Sequence, residues 1–150
     1  RNKGKGYRGV FCGAAIELVR TRSVMMITGK NSPLLHAESA ALLNAMKTIV
    51  GIPDEVEVIS RTVIESMIRL KKAMGLTGAS LDVKEVLDAL AASAVSDENA
   101  QRCMDALETL SGCEMHATHL MDDGDETPLK QLGLNVTTDA ELPIPNGLNG

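Results

Sequence analysis

Residues 29–47, GKNSPLLHAESAALLNAMK, constrain this chain more than any other stretch. A Gly-Lys-Asn turn leads to Ser32, a good N-cap, and to Pro33, which suits the first helical position because its missing N–H would be unpaired there anyway. The pattern predicts a helix over 33–50, ended by Gly51 at the C′ position. At helical periodicity Ala45, Ile49, Leu42, Met46, Val50 and Leu43 fill one arc, and His36, Lys47, Asn44 and Thr48 fill the other. Glu38 falls inside the apolar arc, the wrong side for a solvated acid. Such a helix needs a sheet to cover its apolar face and a partner for its buried carboxylate.

The flanking sequence supplies the sheet. Residues 14–19 and 24–28 have the β-rich composition of strands, and the polar run 20–23 is the right length for a hairpin loop. Pro53 and Asp54 mark a turn before an expected strand over 55–59. A helix over 61–74 carries apolar residues at helical spacing and stops at Gly75. A helical pair comes next. Asp82 with Glu85 forms a capping box for a helix to about 95, and Ser96 caps another over 97–110. Residues 113–121 read as a strand, and 122–125 (DDGD) as a solvated acidic turn. A short helix around 128–132 and a last strand over 134–138 complete the order ββαβα(αα)βαβ. That order specifies a layered α/β sandwich with a mixed β-sheet and a helical pair insertion.

The 150 residues divide into a linker over 1–8, an α/β domain over 9–142 and an irregular Pro- and Gly-punctuated tail over 143–150. The first residues, RNKGKGYR, read as a linker from a missing N-terminal region of a longer protein. A net charge of −5 leaves no broad basic surface for a phosphate backbone, and a chain with Tyr7 and Phe11 as its aromatics has no base-stacking platform. Nucleic acid is therefore not an expected partner, and neither is a membrane, since no apolar run reaches spanning length. Cys12, Cys103 and Cys113, odd in number and never spaced C-x-x-C, read as reduced thiols of a cytoplasmic protein.

The chemistry-bearing residues gather at two helix starts. His36 and Glu38 open the first, preceded by Lys30, Asn31 and Ser32; Ser60, Arg61 and Thr62 open the second. Free N–H groups and the positive ends of helix dipoles, with the charges of Lys30 and Arg61, suit a small anion. If the strands before them are neighbours, the two starts form one crevice at the carboxyl edge of the sheet. Glu38 either pairs with Arg61 or Lys30, the preferred reading, or acts with His36 as a general acid or base.

The His36-Ala37-Glu38 triplet, opening an alanine-rich helix after a hairpin, resembles the zinc-dependent cytidine and adenosine deaminases. There the histidine ligates zinc and the glutamate shuttles protons for an activated water. Those enzymes start the next helix with Pro-Cys-x-x-Cys, whereas this chain has Ser60-Arg61-Thr62-Val63-Ile64. His116 and His119 are three apart in the expected strand and so point to opposite faces. No metal or other cofactor is therefore expected.

Over most of its length, from about residue 6 to 141, the chain resembles a second and more specific family. GYRGVFCGAAIELV, TGKNSPLLHAESAALLNAMK, GIPDEVEVIS, the VIESMIRLKK helix and the GCEMHATHL strand are similar to the C-terminal part of the bacterial family called domain of unknown function 1846. The resemblance implies a cytoplasmic bacterial protein with further N-terminal domains and a cytidine-deaminase-like topology; it carries no activity. The expected function is binding of a small anionic metabolite by a zinc-less deaminase-like domain, through Lys30, Asn31, Ser32, His36, Glu38, Arg61 and Thr62. Its partners are the remaining domains of the same protein, with a homo-oligomer allowed. The alternatives are a hydrolase or deaminase-type enzyme using Glu38, and a structural or oligomerisation domain.

Overall fold

The computed structural model describes residues 13–19, 23–76 and 78–139. The expected linker over 1–8, the tail over 143–150, Cys12 and most of the hairpin loop lie outside the described residues.

Four strands form one mixed sheet in the order β2-β1-β3-β4. β1 (Gly13–Val19) pairs antiparallel with β2 (Val24–Lys30) on one edge and with β3 (Glu114–Ala117) on the other, and β3 pairs parallel with β4 (Asn135–Thr138). Alternation along the strands puts Ala14, Ile16, Leu18, Met115 and Ala117 on the buried face. Glu114, His116, Asn135 and Thr137 are exposed on the other face.

Helix α1 (Ala37–Val50) packs on β1 and β2 through Ala41, Leu42, Ala45 and Met46, all fully buried. The expected apolar arc is thus the core face. α2 (Arg61–Ala73) is capped by Ser60, whose hydroxyl accepts from Val63 N. α3 (Val83–Ser93) opens with the expected Asp82–Glu85 capping box, and α4 (Glu98–Asp105) continues into a 3-10 turn over Ala106–Leu110. The cap of α4 is Asp97 rather than Ser96, because the Asp97 carboxylate accepts from both Asn99 N and Ala100 N. α5 (Asp123–Gln131) joins β3 to β4 and packs against α3. The mixed sheet and the helical pair are as the sequence specifies, but the sheet has four strands among the described residues rather than five.

Several boundaries differ from expectation, each for a physical reason. Gly29 belongs to β2, opposite Ala14, rather than to a turn. A Cβ there would lie 2.2 Å from Ala41 N and 2.6 Å from Ala37 O, so glycine lets α1 lie directly on the strand. α1 starts at Ala37 instead of 33 because the residues before it are used elsewhere. The Ser32 hydroxyl accepts from Leu34 N and Leu35 N, and Leu34 to His36 bond in extended form to Leu81, His36 N to Leu81 O at 2.9 Å and Leu81 N to Leu34 O at 2.8 Å.

The expected strand over 55–59 is a turn followed by buried Val58 and Ile59; its apolar residues fill the core without joining the sheet. The expected strand over 113–121 is confined to Glu114–Ala117, where β1 and β4 offer partners. The acidic turn over 122–125 is helical from Asp123, with Asp122 as its cap and Asp125 only 2% exposed.

Candidate functional site

The start of α1 meets the start of α5 and the bend after β3. His36, the residue that caps α1, turns its Nδ1 to Asp125 Oδ2 at 2.8 Å. The other Asp125 oxygen accepts from Val83 N at 2.9 Å, which ties α5 to the free N–H groups at the start of α3. Asp122 Oδ1 accepts from Asp125 N at 3.2 Å. Gly124 makes this junction close, since a Cβ there would fall 2.0 Å from Asp82 Oδ2.

Glu38, in the first turn of α1, is fully buried, as its place in the apolar arc requires. Its partner is His119, with Nε2 2.6 Å from Oε2, rather than the expected Arg61 or Lys30. The reason is topological. β3 ends at Ala117 and the chain bends, so the rule of alternating faces does not govern His119, and the bend carries it to the start of α1. His116 remains on the exposed strand face, with Thr137 Oγ1 at 2.7 Å and Asp139 Oδ1 at 2.6 Å. Of the two histidines, His116 is exposed and His119 is half-buried. The Glu38–His119 approach is an ion-pair contact without hydrogen-bond alignment. Both Glu38 oxygens and His119 Nδ1 are buried with no hydrogen-bond partner.

These neighbours set the charge of the site. The hydrogen bond to Asp125 holds the His36 imidazole above the ordinary histidine range; burial opposes this, and Asp125, Asp122 and Glu38 add to it electrostatically. The Glu38 carboxylate does the same for His119 against the effect of burial, with Asp125 adding and His36 subtracting. Burial pushes the Asp82 carboxyl up. The region therefore pairs carboxylates from α1 and α5 with imidazoles from neighbouring elements.

The second polar region lies farther along α1. A cleft of about 220 Å³ opens between α1, the 54–59 segment and the start of α2, walled by Leu35, Leu43, Val56 and Ile64. Lys47 and Arg61 bring positive charge to it, and the exposed Asp54 and Glu57 stand at its edge. Lys47 is 8% exposed; its Nζ donates to the Asp54 carbonyl oxygen at 2.7 Å, and no carboxylate among the described residues is within ion-pair distance. Arg61 likewise has no ion pair there.

The expected residues are thus divided between two regions. His36 and Glu38 lie in the acidic one and Arg61 in the cleft. Asn31 accepts from Ala37 N at 3.0 Å, and Ser32 caps its local turn, both in the loop that brings Leu34 and Leu35 to the cleft. Thr62 Oγ1 lies 3.1 Å from Ser60 Oγ, and Lys30 is exposed at the end of β2. Sequence reasoning missed Lys47, His119, Asp122 and Asp125 as site residues. The signal for Asp125 was an aspartate three residues after an N-cap, the position that begins to bury.

The deaminase donor set of one histidine and two thiolates does not form among the described residues. Cys103 is fully buried in α4, and Cys113 sits beside Thr109 O at 3.9 Å. Burial pushes both thiols up. Ser60 to Ile64 start α2 without a thiol.

A family model described as domain of unknown function DUF1846, C-terminal, matches residues 2–145. The chain is 46% identical over 115 residues to the UPF0371 protein of Corynebacterium aurimucosum, covering 76% of this chain and 23% of that protein. It is 41% identical over 131 residues to a UPF0371 protein of Corynebacterium diphtheriae, covering 87% and 26%. To one of Clostridioides difficile it is 38% identical over 122 residues, covering 81% and 24%. The chain thus spans about a quarter of the length of these relatives. With a family model matched from residue 2 to residue 145, the chain belongs to the DUF1846 family, as its C-terminal domain.

Proposed function

We propose that this domain binds a small anionic metabolite in the cleft between α1 and α2, within a longer cytoplasmic bacterial protein whose other domains adjoin it. The observation that carries this reading is Lys47, a buried cation with a single backbone acceptor and no carboxylate partner among the described residues. Buried charges are normally paired, because an ion removed from water without a counterion is costly. An anionic ligand would supply the missing charge, Arg61 would meet it from the other wall, and the free N–H groups at the start of α2 favour the same sign. The apolar walls suit a ligand with a carbon skeleton attached to its anionic group. Lys30, Asn31, Ser32 and Thr62 belong to the proposal as the polar surroundings of the two helix starts.

Thermal-shift and calorimetric screening of phosphorylated metabolites against the full-length protein, with inorganic phosphate as the smallest member, tests this. Loss of one charge-assisted contact in Lys47→Met or Arg61→Ala should weaken binding about tenfold or more. A ligand bound equally by wild type and both variants would overturn the assignment.

A second reading is a hydrolase or deaminase-type enzyme with Glu38 and His36 at its centre and a deaminase-like topology. It is favoured by a fully buried Glu38 held 2.6 Å from the half-buried His119 imidazole, a carboxylate and a histidine in proton-transfer reach. Hydrolytic turnover by the full-length protein that is lost in Glu38→Gln and retained in Lys47→Met would favour it over the first.

A further inference from the structure

Among the described residues the helices cover one face of the sheet and leave the other open. On the open face Val19, Val24 and Met26 are exposed. Val19 lies opposite Val24, and Met26 opposite Glu17 one step of the pleat away, so the three apolar side chains sit together on one hairpin. Single exposed apolar residues are ordinary, but a contiguous group rimmed by polar residues marks a contact surface.

The carboxylates of the same face are a second, independent observation. Glu17 is half-buried, stands between Met26 of β2 and Glu114 of β3, and has no ion pair among the described residues. Like charges directly opposite each other on a sheet repel, so Glu17 and Glu114 call for a cation that the described residues do not bring. The β4 side of the face differs. There the polar groups meet one another, as Asn135 Nδ2 does Glu114 Oε2 at 3.1 Å and Thr137 Oγ1 does the imidazole of its neighbour in β3 at 2.7 Å.

The length of the relatives indicates what covers the hairpin side. The chain spans about a quarter of them and matches the C-terminal model of the family, so the greater part of each relative precedes the match. The match begins at residue 2 and β1 at Gly13, a stretch that spans at most about 40 Å. The preceding region is therefore tethered within reach of this sheet. A second copy fits less well, because in an isologous contact the same patch meets itself and the carboxylates would face their own counterparts.

We propose that Val19, Val24 and Met26, with Glu17 and Glu114, form the docking surface for the N-terminal region of the same full-length protein, which lays apolar side chains on the first three and a basic side chain on the two carboxylates. This rests on the reading that other domains adjoin this one and not on the cleft. Its readout needs no anion, so either can fail alone.

The test is hydroxyl-radical oxidation of the native full-length protein, read by mass spectrometry. It compares two methionines that are equally exposed in the domain, Met26 at 62% and Met74, at the end of α2, at 64%. Met26 should oxidise about tenfold more slowly than Met74. Equal or faster oxidation of Met26 would overturn the proposal. Glu17→Lys sets a like charge against the docked basic group and should raise the Met26 rate towards that of Met74 while Met74 stays unchanged; an unchanged Met26 rate would overturn the role of the carboxylates. Protection of Met26 that disappears on dilution would assign the face to a second copy and overturn the proposal as well.

Discussion

Helix α1 serves two polar regions of opposite character. At its start, His36 and Glu38 meet Asp125 and His119, so each charged group there faces a partner of opposite sign from another element. On the cleft side, Lys47 donates to a backbone carbonyl and Arg61 lines the cleft, and neither has an ion pair among the described residues, although Asp54 and Glu57 stand at the cleft's edge. The first region is assembled and charge-paired by the protein itself. The second keeps two cations without an ion pair among the described residues. Charge left uncompensated is what singles out the cleft, and charge matched across elements is what fixes the start of α1.

The comparison can be broken most severely through Gly29, because both regions hang on α1. Gly29→Ala places a methyl group on the backbone of Ala37 and Ala41, atoms that cannot move aside without shifting the helix. A loss of about 3 kcal/mol or more in urea unfolding is expected, with both regions disturbed together. Asp125→Ala breaks the acidic region alone. It leaves Val83 N without its acceptor and His36 without its carboxylate, for a loss of about 3 kcal/mol in the same assay.

Lys47→Met acts in the opposite direction. Removing a buried, unpaired charge while keeping the aliphatic stem should leave the ligand-free protein equally stable or about 1 kcal/mol more so. Destabilisation there would mean that the Asp54 carbonyl bond is structural and that the cleft needs no ligand.

The smallest effect comes from a pair outside both regions. Lys71 Nζ lies 2.8 Å from Glu85 Oε1 at the start of α3. Burial pushes the Glu85 carboxyl up, but Lys71 and the bonds to Asp82 outweigh it and hold the group below its ordinary value of 4.5. A depressed carboxyl contributes stability above that value and loses it as pH falls through the folded-state value. Lys71→Met should therefore cost about 1 kcal/mol at pH 7, and the difference from wild type should vanish once the pH falls below the folded-state value.

Local patterns made much of this legible in the sequence. The hairpin, the core face of α1, the capping box of α3 and the start of α2 all follow from neighbours within a few residues, and Glu38 was recognisable as a buried acid. The rest depends on distant contacts. His36 and Asp125 are 89 residues apart in sequence, and α1 starts late because Leu34 and His36 bond to Leu81, an association no local periodicity encodes. Val56, Val58 and Ile59 are apolar for packing rather than for a ladder. Asp125 lay hidden in an acidic run that looked solvated until α5 and α3 met around it.

The central claim, an anion site in the cleft set apart from the charge-paired start of α1, is tested most directly by titrating the full-length protein with the phosphorylated ligand found by screening. The account predicts that Lys47→Met loses the anion, while His116→Gln, on the exposed face of β3, keeps it. Equal binding by wild type and Lys47→Met, or loss in both folded variants, would contradict it.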